Sequence, residues 1–158
     1  MNTVIKKFNP RLSLLLAAML FVGLTTAAVA DEVLTVYKNP GCGCCSAWAE
    51  RMQAAGFDVS VTERSAQNTG KWQMGVAAEH QSCHTAVSES GFVFEGHVPA
   101  SIIRRFFDEQ PADAKGLSVP GMPVGSPGME SGNRIDPYDV LLLKADGTVE
   151  VFAHIEGN

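Results

Sequence analysis

The sequence predicts a single α/β domain, a mixed sheet with flanking helices, and three observations predict it. Val33 to Tyr37 alternates as a strand, a cysteine-bearing turn and a helical stretch follow, and Phe57 to Val61 alternates again. That strand–helix–strand unit spans about thirty residues, the size of a βαβ crossover. Pro99 to Gln110 carries an apolar stripe at helical spacing, and the chain closes on a hairpin pattern. The 158 residues, 46% apolar and 18% charged, suffice for one core and are crowded for two.

The first thirty residues read as a secretory signal. Lys6, Lys7 and Arg11 form a basic start, Leu12 to Leu24 is the apolar run, and Ala28-Val29-Ala30 sets small residues before Asp31. The apolar run is too short for a comfortable membrane span, so cleavage after Ala30 is expected rather than an anchor. No cysteine stands at the cleavage point, which argues against a lipoprotein. Removing those three of 12 basic residues leaves nine against 17 acidic ones, a balance of −8. An acidic surface without a basic, aromatic-lined patch excludes nucleic acid as a partner, and signal removal leaves no membrane segment. The expected compartment lies outside the cytoplasm, in a bacterium the periplasm, where disulfides persist.

Within the mature part, Lys38-Asn39-Pro40-Gly41 stops the first strand, and Trp48, Met52 and Ala55 give the following helix its apolar face over Ser46 to Ala55. Asn68 to Glu79 is ambiguous, a short helical stretch around Trp72 and Val76. Cys83 to Val87 and Gly91 to Phe94 read as short strands about Ser88-Glu89-Ser90. Pro99 begins the second helix, with Ile102, Ile103, Phe106 and Phe107 as its core stripe. Residues 111–137 hold five prolines and five glycines, which predicts a long functional loop without regular structure. Tyr138 to Leu143 and Thr148 to Phe152 flank the Asp146-Gly147 turn of the closing hairpin.

The chemistry concentrates in Cys42-Gly43-Cys44-Cys45, three of the chain's four cysteines within four positions at a helix entrance. A helix N-terminus favours thiolates, and three thiolates this close repel one another unless protonated, oxidised or neutralised by a soft cation. Cys83 completes four sulfurs. On a regular strand Cys83 and His84 would point to opposite faces, so only one could face the cluster unless the segment turns there, and Cys83 is the one expected in the pocket. His84 and His97 are candidate ligands or ligand-orienting groups. Met122 and Met129 in the Gly/Pro-rich loop offer soft thioethers that need no deprotonation and could close over the cluster.

Three rivals remain at this level. The four cysteines could form two structural disulfides, although adjacent Cys44 and Cys45 cannot bridge without strain. Cys42 and Cys45 could act as the CxxC pair of a thiol–disulfide oxidoreductase, with Cys44 inviting scrambling. A closed tetrahedral zinc site of Cys and His ligands is the third, against which the methionine pair leans towards copper.

Four ordered motifs, CGCC at 42–45, SCHT at 82–85, EGHVP at 95–99 and GLSVPGMPVGSPGME at 116–130, together resemble the CopG-type copper-resistance family of secreted bacterial metal-binding proteins, formerly known only as a domain of unknown function. The resemblance spans nearly the whole mature chain. It implies a thioredoxin-like fold whose cysteine-rich loop binds copper, as a multinuclear Cu(I) cluster bridged by thiolates, and a role in copper redox handling alongside other periplasmic copper proteins. The implied metal positions are Cys42, Cys44, Cys45 and Cys83, with Met122, Met129, His84 and His97 beside them.

Overall fold

A computed structural model describes residues 32–64 and 74–158. The signal sequence expected at 1–30 and the part of the ambiguous segment around Trp72 lie outside the described residues. Seven strands form one mixed sheet in the order β2-β1-β3-β4-β5-β6-β7. They are β1 (Val33–Lys38), β2 (Asp58–Glu63), β3 (His84–Ser88), β4 (Val93–Glu95), β5 (Ala114–Ser118), β6 (Tyr138–Lys144) and β7 (Val149–Ile155). Among the described residues, two α-helices, α1 (Gly43–Ala54) and α2 (Ala100–Glu109), accompany the sheet, with a 3-10 turn at Ala78–His80.

Both helices are crossovers. α1 joins the parallel pair β1 and β2, and α2 joins the parallel pair β4 and β5; the other neighbours are antiparallel. The alternation of β1 puts Leu34, Val36 and Lys38 on the buried face, and α1 answers with Cys45, Trp48, Ala49 and Met52, spaced as one helical stripe. From α2, Ile103 and Phe106 are fully buried and Ile102 and Phe107 partly so, which is the stripe the sequence predicts.

Two sequence expectations are corrected. Helix α1 begins at Gly43 rather than Ser46, so Cys44 and Cys45 lie in its first turn and Cys42 is its N-cap. Residues 111–137 are not wholly irregular, because β5 runs through them between β4 and β6. Gly116, which composition marks as a breaker, is what lets β5 pair: a Cβ there would collide with the Val93 carbonyl, and the ladder shifts register at this point. Leu117 one residue on is fully buried, and pairing on both sides outweighs the weak local propensity of Ala-Lys-Gly-Leu-Ser. Among the described residues no helix is long and apolar enough to cross a membrane.

Candidate metal centre

The site forms where β1 ends and α1 begins. After Lys38 the chain turns through Gly41, whose φ of 73° suits glycine, and the Cys42 N–H donates to the Asn39 carbonyl at 3.2 Å. The turn delivers three sulfurs to the first turn of α1. Cys42 and Cys45 are joined by a disulfide, with Cα atoms 5.4 Å apart, while Cys44 and Cys83 are half-buried and lie outside that bridge. Cys44 Sγ lies 3.6 Å from Cys42 Sγ, and Cys45 Sγ lies 3.8 Å from the Cys83 carbonyl oxygen.

The second side of the site comes from the start of β3 and the end of β4. Cys83 Sγ is 3.3 Å from His84 Nδ1 and 3.0 Å from His97 Nε2. Both Cys83 and His84 therefore face the cluster, the case the sequence allows for a segment that turns here. Strand alternation does not apply to the pair, because Cys83 sits on a bend and β3 starts only at His84. His84 and His97 are both fully buried; their rings meet edge-on at 4.9 Å, and His84 lies against the Trp48 indole at 4.6 Å. The indole N–H is itself held by the Val98 carbonyl at 2.9 Å.

The Gly/Pro-rich loop closes the site from a third direction. His97 Nδ1 donates to the Pro127 carbonyl at 2.8 Å, which leaves Nε2 as the acceptor that faces Cys83. Burial pushes the His97 pKa below the usual imidazole value, against the upward pull of the Pro127 carbonyl and the charge of Glu130. His97 is thus set as a neutral ring, the form that binds metals. Gly128 crosses the first turn of α1 so closely that a Cβ would stand 2.6 Å from the Cys44 carbonyl and 2.9 Å from the Trp48 nitrogen. Arg51 of α1 pairs with Glu130 at 2.8 Å, and the Gly128 N–H also donates to that carboxylate. Met129 is half-buried beside this crossing, whereas Met122 is 54% exposed.

Two donor groups result, and they share one atom. The sulfurs of Cys42, Cys44, Cys45 and Cys83 lie within 4.8 Å of one another, and so do Cys83 Sγ and ring nitrogens of His84 and His97. Soft sulfur with imidazole suits copper or zinc and not calcium or magnesium. Sequence reasoning missed Glu95, a fully buried carboxylate that accepts from the Ser82 N–H at 2.6 Å and from the Thr85 hydroxyl. Its signal was present, since an acidic residue inside the apolar Val93-Phe94-Glu95 strand calls for a partner. His80 and His154 stand apart; the carbonyl of His80 accepts from Ser118, and the imidazole of His154 pairs with Asp139 on the surface.

This α/β domain gathers four cysteines and two buried histidines around the N-terminus of one helix, a donor set that could hold a soft metal ion. Two solved structures match it over nearly their whole length. Copper resistance protein CopG, form 1, is 41% identical, with 79% of this chain and 98% of that one covered at a TM-score of 0.73. Form 2 is 40% identical, with 80% and 99% covered at 0.74. A family described as a protein of unknown function, DUF411, matches residues 80–129, the stretch from His80 to Met129. No curated protein sequence matches the chain. The chain belongs to the CopG-type copper-resistance family.

Proposed function

We propose that this chain is a periplasmic copper-binding protein that holds Cu(I) in a thiolate-bridged cluster of more than one ion during copper stress. The observation that carries this is the sharing of Cys83 between a four-sulfur group and a sulfur–imidazole group. A thiolate can bridge two Cu(I) ions, so a sulfur common to both groups suits a multinuclear arrangement. Met122 and Met129 are proposed as soft ligands or a closing lid. The relatives' printed name, copper resistance, supports copper over zinc. The order β2-β1-β3-β4, with the cysteine turn leaving β1 into α1, supports a thioredoxin-like reading of that half of the sheet. Export and removal of residues 1–30 follow from the signal motif, so the mature chain is expected to start at Asp31.

The disulfide adds a redox role. Two Cu(II) ions can each take one electron from the Cys42 and Cys45 thiolates, which leaves two Cu(I) ions and one Sγ–Sγ bond. A dithiol reductant returns both thiols by exchange and is itself oxidised to a disulfide. Copper in this scheme is substrate and cargo, and other periplasmic copper-handling proteins are its partners. Anaerobic titration of the reduced mature protein with Cu(I) against a competing chelator is expected to show tight uptake of more than one copper per chain. Failure to bind stoichiometrically overturns the reading.

The same disulfide, at a helix N-terminus, favours a second reading, a metal-independent thiol–disulfide oxidoreductase that uses Cys42 and Cys45. Cys44→Ser separates the two. The oxidoreductase keeps its activity on a disulfide substrate, and the copper protein loses copper capacity.

A further inference from the structure

Among the described residues Glu95 is the one carboxylate with a fully buried side chain, and it lies two residues from His97. Burying a carboxylate is costly unless strong hydrogen bonds meet it, so its donors show what it does. Two of them are the Ser82 N–H, at 2.6 Å from Oε1, and the Thr85 hydroxyl, on Oε2. These two donors stand on either side of Cys83-His84. The pair register places Thr85 opposite Glu95, while Cys83 lies just outside the β1–β3 ladder, at a bend that strand pairing does not hold. Backbone bonds tighten the same corner, from the Gly96 N–H to the His84 carbonyl at 2.9 Å and from the Val119 N–H to the Glu95 carbonyl at 3.0 Å.

We infer that Glu95 is a positioning residue of the metal centre, a two-armed brace that fixes the Ser82–Thr85 segment so that Cys83 Sγ, His84 Nδ1 and His97 Nε2 converge. The inference deepens the copper-binding reading and rests on it for the choice of metal. The brace acts through direction more than charge. A carboxylate only accepts, and both flanking groups donate to it. Glutamine can imitate it if its amide oxygen takes the Ser82 N–H and its NH2 donates to a rotated Thr85 hydroxyl, whereas alanine loses both arms.

The test uses Glu95→Ala, Glu95→Gln and Thr85→Val in the mature protein, with two readouts. The first needs no metal: with the Cys42–Cys45 disulfide closed, iodoacetamide labels Cys83 and Cys44, and peptide mapping gives the ratio of their rates. Glu95→Ala should raise the Cys83 rate relative to Cys44 by about tenfold, Glu95→Gln should stay within about twofold, and Thr85→Val should fall between. In the second readout, chelator competition should show Cu(I) affinity lowered by about 10–100-fold in Glu95→Ala and close to wild type in Glu95→Gln. Should Glu95→Ala fail to fold by circular dichroism, Thr85→Val against Glu95→Gln carries the comparison. A wild-type ratio and affinity in Glu95→Ala, or in Thr85→Val where it alone is folded, overturns the brace. So does a Glu95→Gln variant as defective as alanine, which would assign the effect to charge. If the wild-type protein takes up no Cu(I), the copper reading fails while the alkylation ratio still decides whether Glu95 positions Cys83.

Discussion

Two clusters of rings sit in the core, one at the cysteine end and one under α2. In the second, Phe106 meets Phe92 at 5.0 Å, Phe94 at 5.5 Å, Phe107 at 5.8 Å and Phe152 at 6.2 Å, all near edge-on. In the first, Trp48, His84 and His97 pack at similar separations, but each anchored ring nitrogen has a role: Trp48 donates to Val98, His97 to Pro127, and the far side of His97 faces Cys83. The aromatic end stabilises by burial and edge-to-face contact, with the Arg105 guanidinium over the Phe152 ring at 4.3 Å. The cysteine end buries His84, Thr85, Glu95 and His97, whose desolvation is only offset by hydrogen bonds, and what it gains is fixed geometry. One core thus divides stability and chemistry between two neighbourhoods.

The largest test of that division removes the shared sulfur. Cys83→Ser withdraws a donor from both groups, so Cu(I) affinity is expected to fall by at least about a hundredfold, beyond what loss of an outer-shell partner costs. Its urea midpoint should barely move; a large loss of stability with copper binding retained would erase the contrast. The converse variant, Phe106→Ala, should cost about 3–5 kcal/mol in urea unfolding, with the copper count per folded molecule unchanged.

Gly128→Ala probes the seam between the loop and α1. The φ of 88° and the 2.6 Å approach to the Cys44 carbonyl leave no room for a methyl group, so the loop must lift. A loss of about 1–3 kcal/mol is expected, with a change in the His97 Nδ1 nitrogen shift as the Pro127 bond weakens. An unaltered stability and shift would mean that the loop is not seated on α1.

The smallest effect contrasts two histidines by NMR titration. Buried His97 should titrate below its unfolded value of about 6.5. The unfolded chain then binds more protons in that window, so the stability His97 contributes is full above about pH 6.5 and is lost as pH falls through its folded pKa. Exposed His154 should titrate above 6.5, because the Asp139 carboxylate favours its charged form. Its contribution is present below that pH and disappears as pH rises through the folded value; added salt should shrink the shift.

The sequence by itself determined the local units. The alternation of β1, the Trp48–Met52 face of α1, the α2 stripe and the Asp146-Gly147 hairpin are each written in short-range spacing, where side-chain periodicity meets backbone geometry. The crowding of Cys42, Cys44 and Cys45 at a helix start likewise announced sulfur chemistry, and the four motifs announced the family. Only the tertiary structure decided what depends on partners distant in the chain. Ala114–Ser118 became a strand because β4 and β6 bracket it, and the conformation of Gly116 admits the Val93 carbonyl. Cys83 and His84 came to one side because the chain bends just before β3. The closing of Cys42 with Cys45, rather than another pair, was left open by the spacing of four cysteines. Glu95 found its two donors, and His97 its Pro127 carbonyl, across 10 to 30 residues. Periodicity reports which face a residue takes on its own element, whereas convergence of donors on one point is fixed by how elements pack, and that information is spread over the whole core.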